Sequence, residues 1–314
     1  MSGEIRERGW IDGNGHKDDL RMGDNTPDDL HVARPHPVGA NGRPIRKDEI
    51  EIPERGLYVE SWMPERRSRR RPLLFIHGEL TGSWIWERYL SYFAGRGWEG
   101  HALNLRNHFW SETTDIAAVD FEDYVDDVIA VLDKLGHNVV TVGHGLGGLL
   151  ALKAAERHSV GGIVLLDSEL PRDLRPPVRP HELRDIPDVY GRDHIGWETL
   201  PERLQRENRD LTIADIIRLQ HLFGQKPHES GQVKREVLEG IGIDRARLSG
   251  VPILVVGAGL DGTSSATGAE RLADWLGGTY EPFGAHSHYG LVIGESSFQQ
   301  VAEGVRAFLE SHRM

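Results

Sequence analysis

The run Val139-Val140-Thr141-Val142-Gly143-His144-Gly145-Leu146-Gly147-Gly148 constrains the fold of this chain more than any other stretch. An apolar, β-branched segment meets a cluster of glycines, and a Leu- and Ala-rich segment follows from Leu146 to Arg157. That order reads as a strand, a tight turn and a helix. Glycines at such a turn either supply backbone angles closed to other residues or let two backbones come close.

The chain around this turn repeats the same alternation. Short strands are expected at Leu57–Met63 and Pro72–His77, a helix from Trp84 to about Gly95, and a strand near His101–Leu105. Phe121–Leu135 carries apolar residues at helical spacing, and further apolar strands fall at Asn138–Val142 and Gly162–Leu166. Continuous apolar runs such as Pro72-Leu73-Leu74-Phe75-Ile76 suit strands buried on both faces. The pattern predicts an α/β fold, a mostly parallel central sheet with helices on both faces. It breaks after residue 169. Pro171, Pro176, Pro177, Pro180 and Pro187 lead into helical stretches near 198–208, 211–223 and 229–240, and no buried strand returns until Val251. The α/β pattern resumes with Ile253–Val256, a helix at Ala266–Leu276, a strand at Thr279–Pro282 and a last helix at Ser297–Ser311. The expected organisation is an irregular extension over 1–50, a first core part over 51–169, a helical insertion over 170–245 and a second core part over 246–314.

Composition narrows the chemistry. The 314 residues include no cysteine and carry a formal net charge of −12. Thiolate nucleophiles, disulfides and thiolate metal sites are excluded. The acidic balance argues against general nucleic-acid binding, and the basic run Arg66-Arg67-Ser68-Arg69-Arg70-Arg71 reads as a solvated turn ahead of a strand. No apolar stretch is long enough to span a membrane, and the polar start MSGEIRERGW lacks a signal-peptide core, so a cytoplasmic location is expected. Histidines and carboxylates do not occur at the spacing of a zinc-binding helix, so no metal is expected.

Two readings compete at the glycine turn. Gly143, Gly145 and Gly148 fit G-x-G-x-x-G, and Asp167 closes the next strand where a ribose-binding acid would stand. A dinucleotide fingerprint usually lies on the first strand of its domain, whereas structured chain precedes this one. The same residues also fit G-x-S-x-G, the turn that presents a nucleophilic serine, with glycine in place of the serine. Further landmarks favour this second reading. His77-Gly78 ends a strand and Thr81-Gly82-Ser83-Trp84 follows, Leu103-Asn104-Leu105-Arg106-Asn107-His108 precedes a polar loop, Asp261 lies just past a strand, and Ala285-His286-Ser287-His288-Tyr289-Gly290 follows the last strand. In this order the chain resembles the α/β-hydrolase family, of the serine esterase and lipase kind with a cap, from about residue 55 to the C-terminus.

The resemblance implies the site. Gly145 occupies the nucleophile position, Asp261 is the orienting acid, and His288 is the base with His286 as the alternative. The backbone N–H groups of Glu79 and Leu146 are the oxyanion donors. Asp167 is a second candidate acid. Trp84, Phe109, Trp110 and Trp197 are expected near the pocket, and the 170–245 insertion is expected to act as the cap. No cofactor is implied. The expected partner is a small-molecule carbonyl substrate, partly apolar, of the ester or lactone type, with no nucleic acid and no membrane. His101, His108 and His137 are expected on the surface or in loops. Glycine has no oxygen, so no acyl-enzyme can form at residue 145. Three functions remain open: a carboxylic-ester or lactone hydrolase inactivated at this position; non-nucleophilic chemistry (lyase, cyclase or direct water attack) with a His288–Asp261 base and an oxyanion hole; or a non-catalytic ligand-binding protein.

Overall fold

The computed structural model describes residues 38–39, 41–225, 228–260 and 266–314. Their strands are β1 (Ile45–Ile52), β2 (Leu57–Pro64), β3 (Leu73–Ile76), β4 (Gly100–Asn104), β5 (Val140–His144), β6 (Gly162–Leu166), β7 (Val189–Tyr190), β8 (Glu229–Ser230), β9 (Ile253–Ala258) and β10 (Thr279–Phe283). Their helices are α1 (Glu87–Ala94), α2 (Phe121–Leu135), α3 (Leu146–Ala155), α4 (Pro180–Arg184), α5 (Pro201–Glu207), α6 (Ile213–Phe223), α7 (Gly231–Glu239), α8 (Ala266–Leu276), α9 (Gly290–Ile293) and α10 (Ser297–Ser311).

The described residues build an eight-stranded sheet in the order β1-β2-β4-β3-β5-β6-β9-β10. The first two pairings, β1 with β2 and β2 with β4, are antiparallel. Every pairing from β4 to β10 is parallel. The parallel run explains the sequence: β3, β5, β6 and β9 are buried along their whole length, so both faces must be apolar. Alternate side chains then feed two cores. Phe75, Val142, Val164 and Leu254 join α1 and α10 on one face. Leu74, Ile76, Ile163 and Val255 join α2, α3 and α8 on the other.

Residues of each element show why it forms. The N-terminus of α2 is closed by a reciprocal capping box in which Asp120 accepts from the Asp123 amide and Asp123 accepts from the Asp120 amide. Across β5 and α3 the polypeptide reverses within one residue, which sets the site discussed below. Between the neighbouring strands β6 and β9 lies an excursion holding α4 to α7 and the short antiparallel pair β7–β8.

The structure departs from the sequence reading in three places. The composition of residues 1–50 predicts an irregular extension, yet β1 starts at Ile45. Its run IRKDEIEI buries only Ile45 and Ile52 at about 3% exposure, as suits an edge strand with most side chains in water. His101 and His108 lie inside, at 4% and 1% exposure, because each meets a buried partner, Ser61 and Glu229 respectively. Finally, β8 falls in a polar stretch without apolar period, and its two residues pair with β7. Arginines of the basic run are engaged at the surface: Arg67 pairs with Glu99, and Arg70 stacks over Trp98.

Candidate active site

The turn between β5 and α3 is made by backbone alone. Gly145 sits at φ +55, ψ −120, outside the regions open to side-chain-bearing residues. Its N–H donates to the Leu166 carbonyl at 3.1 Å, and its carbonyl accepts from the Gly148 and Glu169 amides, each at 3.1 Å. The flanking glycines are set by close approach. A Cβ on Gly147 would overlap the Ile76 carbonyl and lie 2.5 Å from the His77 carbonyl, and one on Gly143 would overlap Gly147 itself. The space that a pyrophosphate reading would leave beside Gly148 is filled by the Ser168 side chain. These glycines serve contact between protein segments.

An acid–histidine pair faces this turn. Asp167 follows β6, is 2% exposed, and takes up φ +46. Its Oδ2 lies 2.7 Å from His288 Nδ1. The carboxylate only accepts, so Nδ1 is the donor in this contact and Nε2 lies on the opposite edge of the ring. That edge is aimed at the turn: a Cβ built on Gly145 would lie 3.3 Å from both Cε1 and Nε2 of His288. The loop behind His288 is held from several sides. The His288 carbonyl is 3.0 Å from His144 Nε2, the two rings lie 4.0 Å apart, and Asp210 accepts the Ser287 amide at 3.0 Å. His286 lies elsewhere, buried with its ring edge-on to Phe283 at 5.3 Å. Burial holds its imidazole below the ordinary range. Asp261 lies outside the described residues, so its placement carries no description. Among the described residues, the carboxylate against His288 is that of Asp167.

The other wall of the site is the loop after β3. Its conformation is fixed by polar contacts: His77 Nδ1 donates to the Gly78 carbonyl at 2.8 Å, and His77 Nε2 accepts the Leu105 amide at 3.1 Å. Burial, aided by His108, pushes the His77 imidazole down to about 3, so it stays neutral in this role. Thr81 Oγ1 donates to the Gly78 carbonyl at 2.9 Å, and Leu80 stands at φ +56. The Glu79 carboxylate meets Lys234 Nζ at 2.7 Å. Burial raises the Glu79 carboxyl above the usual range despite Lys234. Burial opposes the charge on Lys234, but Glu79 and Glu169 outweigh it and hold the ammonium above its ordinary value. Glu169 in turn pairs with Arg175.

A cavity of about 950 Å³ connects these parts. Gly78, Glu79, Gly145, Leu146, Asp167 and His288 line it from the sheet, while Trp197, Leu204, Lys234 and Leu238 line it from the excursion. So Gly145, Glu79, Leu146, His288 and Trp197 come together as the sequence reading expects of one site, with Asp167 among them. Three of the four expected aromatic residues do not. Trp110 is 75% exposed and packs beside Tyr58, because its loop turns outward. Trp84 lies between Phe109 and Phe223, and Phe109 packs over Gly82, so both stabilise the region under α6. Ser83 and Ser111 are also committed elsewhere, to Asn104. Among the described residues no cluster of three or more His, Cys, Asp or Glu side chains could hold a metal ion.

Sequence reasoning missed three residues of the excursion: Lys234, which lines the cavity, and Glu229 and Asp210, which accept the Leu80 and Ser287 amides of its loops. Their local sequence has no signal beyond charge.

A family model for the alpha/beta hydrolase family matches residues 73–303. The chain belongs to that family. Among curated relatives, the AB hydrolase superfamily protein YisY of Bacillus subtilis is 26% identical over 152 residues, which covers 46% of this chain and 52% of that protein. A pyrethroid hydrolase of Sphingobium wenxiniae is 27% identical over 100 residues, covering 31% of this chain and 36% of that one. The chain thus spans about half or less of the length of these relatives. A thermophilic esterase from Thermogutta terrifontis superposes with a TM-score of 0.65 at 16% identity, over 86% of this chain and all of that one, a likeness of fold. As a member of the alpha/beta hydrolase family, the chain keeps the hydrolase sheet and the order of turn and histidine, and it departs from the G-x-S-x-G pattern at Gly145.

Proposed function

We propose that this protein has the site of a carboxylic-ester or lactone hydrolase in which Gly145 stands where the nucleophilic serine would be. The acyl-enzyme route is therefore closed, and the His288–Asp167 pair is left as a general base. The observation that carries this is the 2.7 Å contact between His288 Nδ1 and Asp167 with the opposite ring edge facing the Gly145 position. A catalytic base is oriented by its acid and aimed at the reacting atom. Here the acid role goes to Asp167. The backbone N–H groups of Leu146, at the start of α3, and of Glu79 are the donors for a developing oxyanion. The excursion acts as the cap: Trp197, Leu204 and Leu238 give the cavity an apolar wall that suits one end of a partly apolar carbonyl compound.

Purified chain and Gly145→Ser, assayed on short aryl esters, test the reading. Turnover should rise by at least about 10³-fold in the serine form, given what loss of a nucleophile costs related triads. An inert Gly145→Ser protein that is folded would overturn it.

One observation favours a second reading. The His288 Nε2 lies 3.3 Å from where a Cβ on Gly145 would be, so the space beside Gly145 is within reach of the ring. A water in that space would give its proton to Nε2 as its oxygen attacks the carbonyl, and the proton would return to the departing alkoxide. Hydrolysis by the glycine form that disappears in His288→Ala would select this reading over inactivation.

A further inference from the structure

The excursion does more than cover the cavity. We propose that Glu229 is a positioning residue that holds the 78–80 loop in the form needed to present the Glu79 amide to the substrate oxygen, with Lys234 as a second hold. The inference rests on the oxyanion role given to Glu79 above.

Glu229 is 1% exposed and comes from β8, remote in sequence from the loop. Its Oε1 accepts the Leu80 amide at 2.6 Å. Leu80 is at φ +56, a conformation that side-chain-bearing residues rarely adopt and that persists only when its surroundings impose it. The carboxylate is itself fixed. His108 Nε2 donates to it at 2.8 Å, and Tyr124 Oη donates to Oε2 at 3.1 Å. His108 Nδ1 donates to the Arg106 carbonyl at 2.9 Å, so both ring nitrogens are donors and the ring is an imidazolium. The neighbouring Ser230 accepts the Val233 amide and donates to the Val119 carbonyl, which locks the start of α7 against the core. One turn further on, Lys234 reaches the side chain of Glu79. One short segment, 229–234, thus holds two consecutive residues of the loop.

The alternative is that Glu229 only stabilises the fold. Tyr124→Phe separates the two roles, because it removes a Glu229 contact that does not touch the loop. In the Gly145→Ser protein with p-nitrophenyl butyrate, Glu229→Met should lower kcat by about 10²–10³-fold with KM within about threefold, the cost of misplacing one oxyanion donor. Glu229→Gln keeps an oxygen acceptor for Leu80 and should retain kcat within about tenfold. Tyr124→Phe should retain kcat within about threefold. If Glu229→Met does not fold, Glu229→Asp serves in its place, since it keeps the charge beside His108 but is one methylene too short to reach Leu80. A kcat no lower in Glu229→Met or Glu229→Asp than in Tyr124→Phe overturns the proposal. Amide exchange in the unaltered Gly145 background decides the same point without any activity. Leu80 should exchange at least about tenfold faster in Glu229→Asp than in Tyr124→Phe. Equal rates overturn the inference, whereas an inert Gly145→Ser protein overturns only the ester-hydrolase reading.

Discussion

A glycine turn and an acid–histidine pair meet at the cavity, and they are built on opposite principles. The β5–α3 turn offers no functional side chain at Gly145. Its shape comes from backbone packed on backbone, with Gly147 against the carbonyls of β3 and its loop. The facing pair, Asp167 and His288, is all side-chain chemistry, a buried carboxylate at 2.7 Å from an imidazole. Under the proposed function, the difference separates the frame of the site from the nucleophile. The turn keeps its form without a serine, because its neighbours fix it. The His288 ring keeps its orientation without a serine, because Asp167 and the loop behind His288 fix it.

The sharpest way to break that separation acts on the side-chain half. Asp167→Asn in the Gly145→Ser background should lower kcat by about 10⁴-fold, since an amide no longer favours the productive tautomer of the histidine. Steady-state kinetics on an aryl ester would show it. An effect below tenfold would mean that another carboxylate orients His288. On the backbone half, Gly147→Ala forces a methyl group into the carbonyls of Ile76 and His77, neither of which is a flexible side-chain end. It should cost about 3 kcal/mol of stability or more, read by denaturant melts, because an overpacked site must shift the strand itself. Gly145→Ala asks less, about 1–3 kcal/mol, for a side chain at positive φ. It should give no ester hydrolysis, which would show that any gain in the serine form belongs to its oxygen.

Both halves rest on the same sheet, so acid effects on that sheet must be separated from effects on the pair. His101 in β4 is the control. Burial, with Arg67 nearby, pushes its imidazole down to about 4 from 6.5. The unfolded chain therefore takes up a proton that the folded chain refuses as pH falls from 6.5 toward 4, and stability is lost in that window. The loss is at most about 3 kcal/mol. In His101→Gln the decline of Tm between pH 7 and pH 4.5 should be shallower than in the parent protein.

The parallel sheet was legible because burial on both faces writes continuous apolar runs into β3, β5, β6 and β9. The glycine turn was legible because close backbone contact excludes every other residue. Strand β1 was not, since an edge strand in water keeps its charges and reads as a loop. Asp261 and Asp167 both follow sheet strands, and the sequence favours Asp261 by its order before the histidine; the contact of Asp167 with His288 is visible only in three dimensions, while Asp261 lies outside the described residues. Glu229 was hidden for a different reason. Its role is a contact over 149 positions with the Leu80 amide, and no local pattern records an interaction of that separation.

The close fit of Gly143 and Gly147 to their neighbours divides the turn into positions closed to any side chain and one position that is not. Gly143 and Gly147 would bury a Cβ in backbone atoms, whereas a Cβ at Gly145 meets only the His288 ring, at 3.3 Å, so residue 145 can take a small side chain at the cost of its positive φ. A hydroxyl on residue 145 would stand beside the His288 ring, whose Cε1 and Nε2 lie 3.3 Å from that Cβ position.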